Sequence, residues 1–262
     1  MGVRPARIAQ DCSHFLACLL GALLIGLAGS LHAQPAQGSL RLGTGTEEHE
    51  YNGIWLRRLY AEAARRLGLQ LQVVIAPAKR ATVMTERGEL DGEMIRARAY
   101  AEAHPEMLMI DVPLVTTVFA IYARDGASKA NSLAELRQTS GQVVFRRGVQ
   151  VCEDALRAAL PAERIAEVVS AENALKMLER GHARYLCDMD SAVNAVRSRV
   201  GETLLGSRLF SVGDATQLYP FLSARHTSLA PRLTATLKSM RAEGLIERYQ
   251  ADALRQLNSS AP

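Results

Sequence analysis

The stretch Val83-Met84-Thr85-Glu86-Arg87-Gly88-Glu89-Leu90-Asp91-Gly92-Glu93-Met94 reads as the last turns of a helix, a glycine stop and the start of a strand. The same phrase returns as Leu175-Lys176-Met177-Leu178-Glu179-Arg180-Gly181-His182-Ala183-Arg184-Tyr185-Leu186-Cys187. In each copy an apolar-periodic helix ends at a Gly, the residue that enters the left-handed C-cap conformation without a Cβ penalty. The shared words are only Glu-Arg-Gly, but both copies sit inside the same strand-helix-strand context, so the repeat points to two similar lobes.

Around the first copy, Leu40 to Gly43 reads as a short apolar strand. Asn52 is placed to cap a helix whose Trp55, Leu56, Leu59, Tyr60, Ala63 and Leu67 share one face until Gly68. Leu69 to Ile75 reads as a buried strand. Helix Lys79 to Arg87, strand Leu90 to Ile95, a helix near Tyr100 to Ala103 and strand Met107 to Ile110 continue the alternation, which predicts parallel strands covered by helices. A β-branched and aromatic run, Thr116 to Ala123, leads to Asp125-Gly126. A second alternation follows: strand Val143 to Phe145, helix Cys152 to Leu160, strand Ile165 to Val169, helix Ala171 to Arg180, strand Ala183 to Cys187 and helix Ser191 to Arg197. Leu218 to Ser223 is again extended. Leu229, Leu233, Leu237 and Met240 then stripe a helix stopped by Gly244, Leu245 to Leu254 form a last helix, and Asn258 to Pro262 read as a frayed tail. One early and one late crossing return the C-terminal part to the first lobe.

The N-terminus carries Arg4 and Arg7, an apolar run from Phe15 to Leu31, and Leu31-His32-Ala33 before Gln34, the layout of a cleavable secretory signal. As a helix the run spans only about 25 Å, short of a hydrocarbon core of roughly 30 Å, which favours cleavage near Ala33 over an anchor. Cys18 precedes most of the apolar run, which is the wrong order for a lipid-modified cysteine. Residues 1–33 take away two Arg and one Asp, so the net charge of +4 becomes +3. That mild excess is spread along the chain, with no Lys/Arg block to suggest nucleic acid. Cys152 and Cys187 survive processing, either bonded, as an exported protein allows, or as two buried thiols. Neither has a second Cys or a His at ligand spacing, so no metal is implied.

The export signal, strand Leu40-Arg41-Leu42-Gly43, the helix after Tyr51-Asn52-Gly53, Arg80 ahead of Glu86-Arg87-Gly88-Glu89-Leu90-Asp91-Gly92, and Asp111-Val112-Pro113 before the crossover come in a telling order. With the closing Leu229-Ala230-Pro231-Arg232-Leu233 and Met240-Arg241-Ala242-Glu243-Gly244, this order resembles the family 3 extracellular solute-binding proteins, the amino-acid-type receptors of ABC importers. The resemblance covers residues 38 to 255. It implies an α/β fold of two lobes with type II periplasmic-binding topology, each a mostly parallel sheet flanked by helices, that close on a ligand between them. Carried onto this chain it makes residues 34–122 the first part of lobe 1, 123–217 lobe 2 and 218–262 the return, with Val118 to Ala123 and Leu218 to Ser223 as hinge strands. Three departures weaken the case for a standard α-amino-acid ligand. Arg57 and Arg58 follow Gly53-Ile54-Trp55-Leu56 where the family usually has an Asp, Gly148-Val149-Gln150-Val151-Cys152 lacks the Ser/Thr pair, and Leu114 stands where an aromatic usually follows Pro113.

Ligands of open parallel sheets sit beyond the carboxyl ends of the strands, which nominates the residues just after each strand. In the first lobe these are Glu47, Glu48, His49 and Tyr51, then Arg80, then Arg96 and Arg98. Arg96 is the leading candidate, because a guanidinium grips a carboxylate in two parallel charge-assisted bonds; its structural alternative is an ion pair with Glu47 or Glu48, since the first and third strands of this topology are neighbours. Glu47 and Glu48 either meet a ligand ammonium or remain solvated loop charge. Tyr51 offers a stacking surface, whereas Trp55 lies on the apolar helical face and belongs to the core. In the second lobe the free N–H groups after Gly148 suit an anion, and Gln150 adds a hydrogen bond. Asp188 can read an amine; Asp190 doubles as an N-cap. The type II topology also places Cys152 and Cys187 after adjacent strands, which makes their disulfide a concrete expectation.

No Gly-x-Ser-x-Gly, His-Glu-x-x-His or phosphate loop is present, and Gly43-Thr44-Gly45 lacks its third Gly. The sequence therefore reads as a monomeric periplasmic solute receptor without cofactor, whose partners are a small polar, amino-acid-like or carboxylate-bearing ligand and the membrane permease of an ABC importer. A cyclohexadienyl-dehydratase-like enzyme and a sensory or accessory binding protein on the same fold are the alternatives.

Overall fold

Each glycine of the repeated phrase takes the left-handed conformation assigned to it, φ 79° at Gly88 and 72° at Gly181, and each releases the chain into the next strand of its own sheet. The computed structural model describes residues 38–124, 130–200 and 206–259, besides Gly2. The export signal read at residues 1–33 and the turn at Asp125-Gly126 lie outside the described residues. Residues from Gly38 onward make one compact unit.

The chain runs β1 (Ser39–Thr44), α1 (Tyr51–Leu67), β2 (Gln70–Ile75), α2 (Ala78–Glu86), β3 (Gly92–Ala97), α3 (Tyr100–Ala103), β4 (Met107–Met109) and β5 (Val115–Thr117). It continues with β6 (Phe119–Ala123), α4 (Leu133–Gln138), β7 (Val143–Arg146), α5 (Gln150–Ala159), β8 (Ile165–Val168), α6 (Ala171–Glu179), β9 (Tyr185–Met189), α7 (Asp190–Val200) and β10 (Ser207–Ser211). It closes with β11 (Thr216–Ser223), α8 (Leu229–Ala242) and α9 (Leu245–Ser259). The first sheet has the order β2-β1-β3-β11-β4 with β5 also on β11, and the second β10-β6-β9-β7-β8. β11 is antiparallel to both β3 and β4, so the first four strands all point one way and the returning strand is inserted between two of them. In the second sheet β7, β8 and β9 are parallel, and β6 runs against β9. This is an α/β fold of two lobes, each a sheet flanked by helices.

The run Thr116 to Ala123 divides at Val118: β5 ends on the first sheet, and β6, buried at every residue, belongs to the second. Leu218 to Ser223 likewise lies inside the first sheet, as part of β11. Both runs are thus sheet strands along their length, and the chain changes sheet at Val118 and between Ser211 and Thr216. Two elements escaped the sequence reading. α4 had a local signal: Ser132 Oγ accepts from the Glu135 N–H at 3.1 Å, and the Glu135 carboxylate accepts from the Asn131 N–H at 3.0 Å, nearly the reciprocal cap of a Ser-x-x-Glu start. β10 is a short edge strand of mixed polarity with no period to betray it. Asn258 is no tail, since α9 continues to Ser259.

The first-lobe core gathers on α1, where Trp55, Leu56, Leu59 and Tyr60 are fully buried against Leu40 and Leu42 of β1 and against Leu233, Leu237 and Met240 of α8. Each such side chain contributes about 1.5–3 kcal/mol. Asn52 does not cap this helix: Glu50 is the N-cap residue, and buried Asn52 accepts from the Trp55 indole N–H at 2.9 Å. The second core packs Phe145, Leu156 and Tyr185 around a disulfide between Cys152 of α5 and Cys187 of β9. No helix among the described residues is long and apolar enough to cross a membrane.

Candidate functional site

The carboxyl ends of β1 and β3 in one sheet and of β7 and β9 in the other face a common cavity of about 560 Å³, within the usual range for small-molecule sites. On the first-lobe side it is lined by Thr44 and Thr46 after β1, by the inner face of α2 and by Ile95, Arg96 and Ala97 at the end of β3. On the other side it meets Phe119, Met189, Arg146 and the first turn of α5. The two rims touch: a Cβ built on Gly45 would lie 3.6 Å from the Gly148 Cα, and Gly148 holds φ +87°.

Arg96 reaches the cavity because β3 delivers it at its end, and its anchor is internal. It ion-pairs with Glu93, donates from Nη2 to the Ala78 carbonyl at 3.2 Å and stands 5.6 Å from the Tyr100 ring centre. Glu93 is buried and also accepts from the Tyr100 hydroxyl at 2.6 Å and the Thr82 hydroxyl at 3.1 Å. Burial and the neighbouring Glu93 charge both push the Tyr100 phenol up. The Nε and Nη1 atoms of Arg96 donate no hydrogen bond among the described residues, so this guanidinium keeps donors for the cavity.

Arg146 differs. Only 3% exposed, it donates from Nε and Nη2 to the two Asp188 oxygens, each at 3.0 Å, and from Nη1 to Glu50 at 3.4 Å. Burial works against its charge, but Asp188 and Glu50 more than offset it and its pKa is raised. Burial also pushes the Glu50 carboxyl up, against the pull of Arg146. Asp188 accepts a further bond from the Met189 N–H at 2.7 Å. Glu50 precedes α1 of the first lobe while Arg146 and Asp188 belong to the second, so this buried cluster ties the lobes together. Lys79 of α2 makes a second tie, 3.1 Å from Glu153 of α5. Its hydrogen bond, with that of Arg157, pulls the Glu153 pKa below the usual range although burial opposes it.

Of the residues nominated from sequence, Arg96 and Gln150 line the cavity, and Gln150 donates to Asp154 at 2.5 Å. The others stand elsewhere. Arg98 is exposed and bonds to Asp111 and to the Tyr219 hydroxyl, Arg80 is exposed on α2, and Glu48 lies near Arg57 at 3.9 Å. Glu47 is half-buried in the loop before α1; His49 and Tyr51 border a smaller cleft beside Glu50. Asp188 is wholly buried behind the cavity on Arg146. Asp190 opens α7 and accepts from the Tyr122 hydroxyl. The residues sequence reasoning missed are Arg146, Glu50 and the Glu93-Tyr100-Thr82 group. Arg146 was within reach, since it is the first residue after the strand read at Val143 to Phe145. At the outer rim, His104 Nδ1 lies 3.3 Å from Glu106 and 3.7 Å from Glu86; these are the groups among the described residues whose donor atoms approach a metal-binding spacing.

No family model matches the chain. An uncharacterized protein of Shewanella oneidensis is 26% identical over 208 residues, covering 79% of this chain and 78% of its own length. Among solved structures, an amino acid ABC transporter substrate-binding protein, AbpA from Streptococcus pneumoniae bound to L-arginine, aligns with a TM-score of 0.67 at 13% identity, over 84% of this chain and 96% of that one. A histidine kinase sensor domain with similarity to periplasmic binding proteins aligns at 0.66 and 17% identity, over 84% and 98%. The fold is therefore that of the periplasmic binding proteins, with the two lobes of the type II arrangement.

Proposed function

We propose that this protein is a periplasmic solute receptor of the family 3 type that captures a small carboxylate-bearing or amino-acid-like ligand between its lobes and delivers it to the permease of an ABC importer. The observation that carries the reading is the cavity at the strand ends of both sheets, where Arg96 keeps unused donors. The first turn of α5, whose amides have no carbonyl partner inside their helix, lines the same space. In this reading residues 1–33 are an export signal cleaved near Ala33, residues 34–122 and 218–262 form one lobe and 123–217 the other, and the segments between the sheets are the hinge. The mature chain is a monomer, binds without turnover and needs no cofactor.

The test is a thermal-shift screen of ligand-stripped mature protein against amino acids, opines, dicarboxylates, monocarboxylates, polyamines and cyclohexadienyl acids. A ligand at a hundredfold above its Kd adds about 2.7 kcal/mol. A saturable shift by one carboxylate class supports the reading, silence across the panel removes it, and product formation from prephenate or arogenate replaces it with a dehydratase. The sensor-domain neighbour favours a second reading, in which the same binding event reports to a membrane sensor. Co-purification with a permease or with a kinase separates the two.

A further inference from the structure

Resting on the receptor reading, we infer that the ligand is a monocarboxylic acid with an apolar body and no ammonium group. An α-amino acid asks a site for three things: donors for the carboxylate, an acceptor for the ammonium, and a surface for the side chain. The cavity supplies the first and third. Arg96 holds donors out to it, while Ile95, Phe119, Val149, Met189 and Leu218 make its inner surface apolar. Phe119 and Leu218 come from the segments on either side of the crossing, so this surface lies between the two sheets.

For the second, no buried carboxylate lines the cavity among the described residues. Two carboxylates line the cavity, Glu86 and Asp154, and both are exposed. Glu86 sits beside His104, and Asp154 accepts from Gln150. The buried carboxylates nearby are spent on protein groups or lie outside this lining: Glu93 meets Arg96, Tyr100 and Thr82, Asp188 meets Arg146, and Glu50, whose Oε2 meets Arg146 while its Oε1 has no hydrogen-bond partner among the described residues, borders the smaller cleft. An ammonium brought against the apolar inner surface would lose its water and find no buried carboxylate in the lining, a cost borne by the amino acid and not by the acid that lacks the amine. The arrangement thus rejects the zwitterion by withholding a partner.

Three matched pairs test this by titration calorimetry on ligand-stripped wild-type protein: hexanoate with L-norleucine, 3-phenylpropanoate with L-phenylalanine, and 3-(4-hydroxyphenyl)propanoate with L-tyrosine. The expected result is that in at least one pair the acid binds at least tenfold more tightly than its amino acid. Amino acids that bind as well as or better than their acids overturn the inference and leave the receptor reading standing. No binding by either member of any pair, with a response to another class in the thermal-shift panel, overturns the inference alone; silence in both experiments overturns both. Arg96→Lys, which keeps a cation beside Glu93 but removes the fork, should weaken the acids at least fivefold while leaving the urea midpoint unchanged. An unchanged acid affinity in that variant overturns the role given to Arg96.

Discussion

Replacing Asp188 with Ala removes both oxygens that accept from Arg146 and strands a guanidinium that is 3% exposed. Breaking a buried ion pair by removing one partner costs about 3–5 kcal/mol, because the surviving charge stays desolvated. Here Glu50 remains 3.4 Å from Nη1 on the side facing the other lobe, so the loss belongs in the lower half of that range. For a chain of this size each kcal/mol lowers Tm by about 2–4 °C, which predicts a fall of about 6–16 °C. Urea unfolding of the mature protein, followed by far-ultraviolet circular dichroism, reads the free energy directly. The triple change Glu50→Gln, Arg146→Met and Asp188→Leu should recover most of the loss, since replacing a buried charge cluster as a whole is often close to neutral whereas removing one partner is not. A loss below about 1 kcal/mol in Asp188→Ala would refute the reasoning, because it would mean that the guanidinium reaches water.

Three further outcomes follow from the same coordinates. A methyl at Gly92 would lie 2.1 Å from the Phe221 carbonyl oxygen and 2.9 Å from the Leu222 Cα, so Gly92→Ala must part β3 from β11 and should cost more than the roughly 1–3 kcal/mol typical of overpacking, read from the urea midpoint. The disulfide closes a separation of 35 residues, and changing both Cys152 and Cys187 to Ala should remove about 2–4 kcal/mol; an unchanged Tm would show that the unfolded chain is not constrained by it. Burial raises the Glu50 pKa above 4.5, so the folded state holds that proton more tightly than the unfolded chain. That contribution is full below 4.5 and is lost as pH rises through the raised value, so the stability of wild type relative to Glu50→Gln should fall with pH across this window; a flat difference would count against it.

The repeated phrase was legible because its information is local. A glycine that must take positive φ, the apolar stripe before it and the strand after it are all within a dozen residues, so reading that phrase twice pointed to two similar lobes, while the type II topology was what the family resemblance implied. The Asp91-Gly92 pair in the most family-like motif proves to be structural: the Asp91 carboxylate accepts from the Arg41 N–H at 2.7 Å, and Gly92 lets β11 approach. The site was only partly legible. The rule of looking just past each strand found Arg96 and Gln150, and it also collected Arg80, Arg98, Glu47 and Glu48, whose side chains turn to solvent or to neighbours on their own lobe. Such an outcome depends on rotamer and on loop path, which residue type and spacing do not encode.

The order of elements, the two lobes and the return of the C-terminus were determined by the chain's own pattern, since periodicity and stop residues act over the length of one helix or strand. The role of each buried charge was decided by tertiary structure alone. Glu50, Arg146 and Asp188 stand 96 and 42 residues apart in sequence, and become one cluster only when the lobes dock and exclude water from between them. Whether a carboxylate is spent on the protein or free for a ligand is settled by that docking, because a charge out of water takes whichever partner the packing brings within reach.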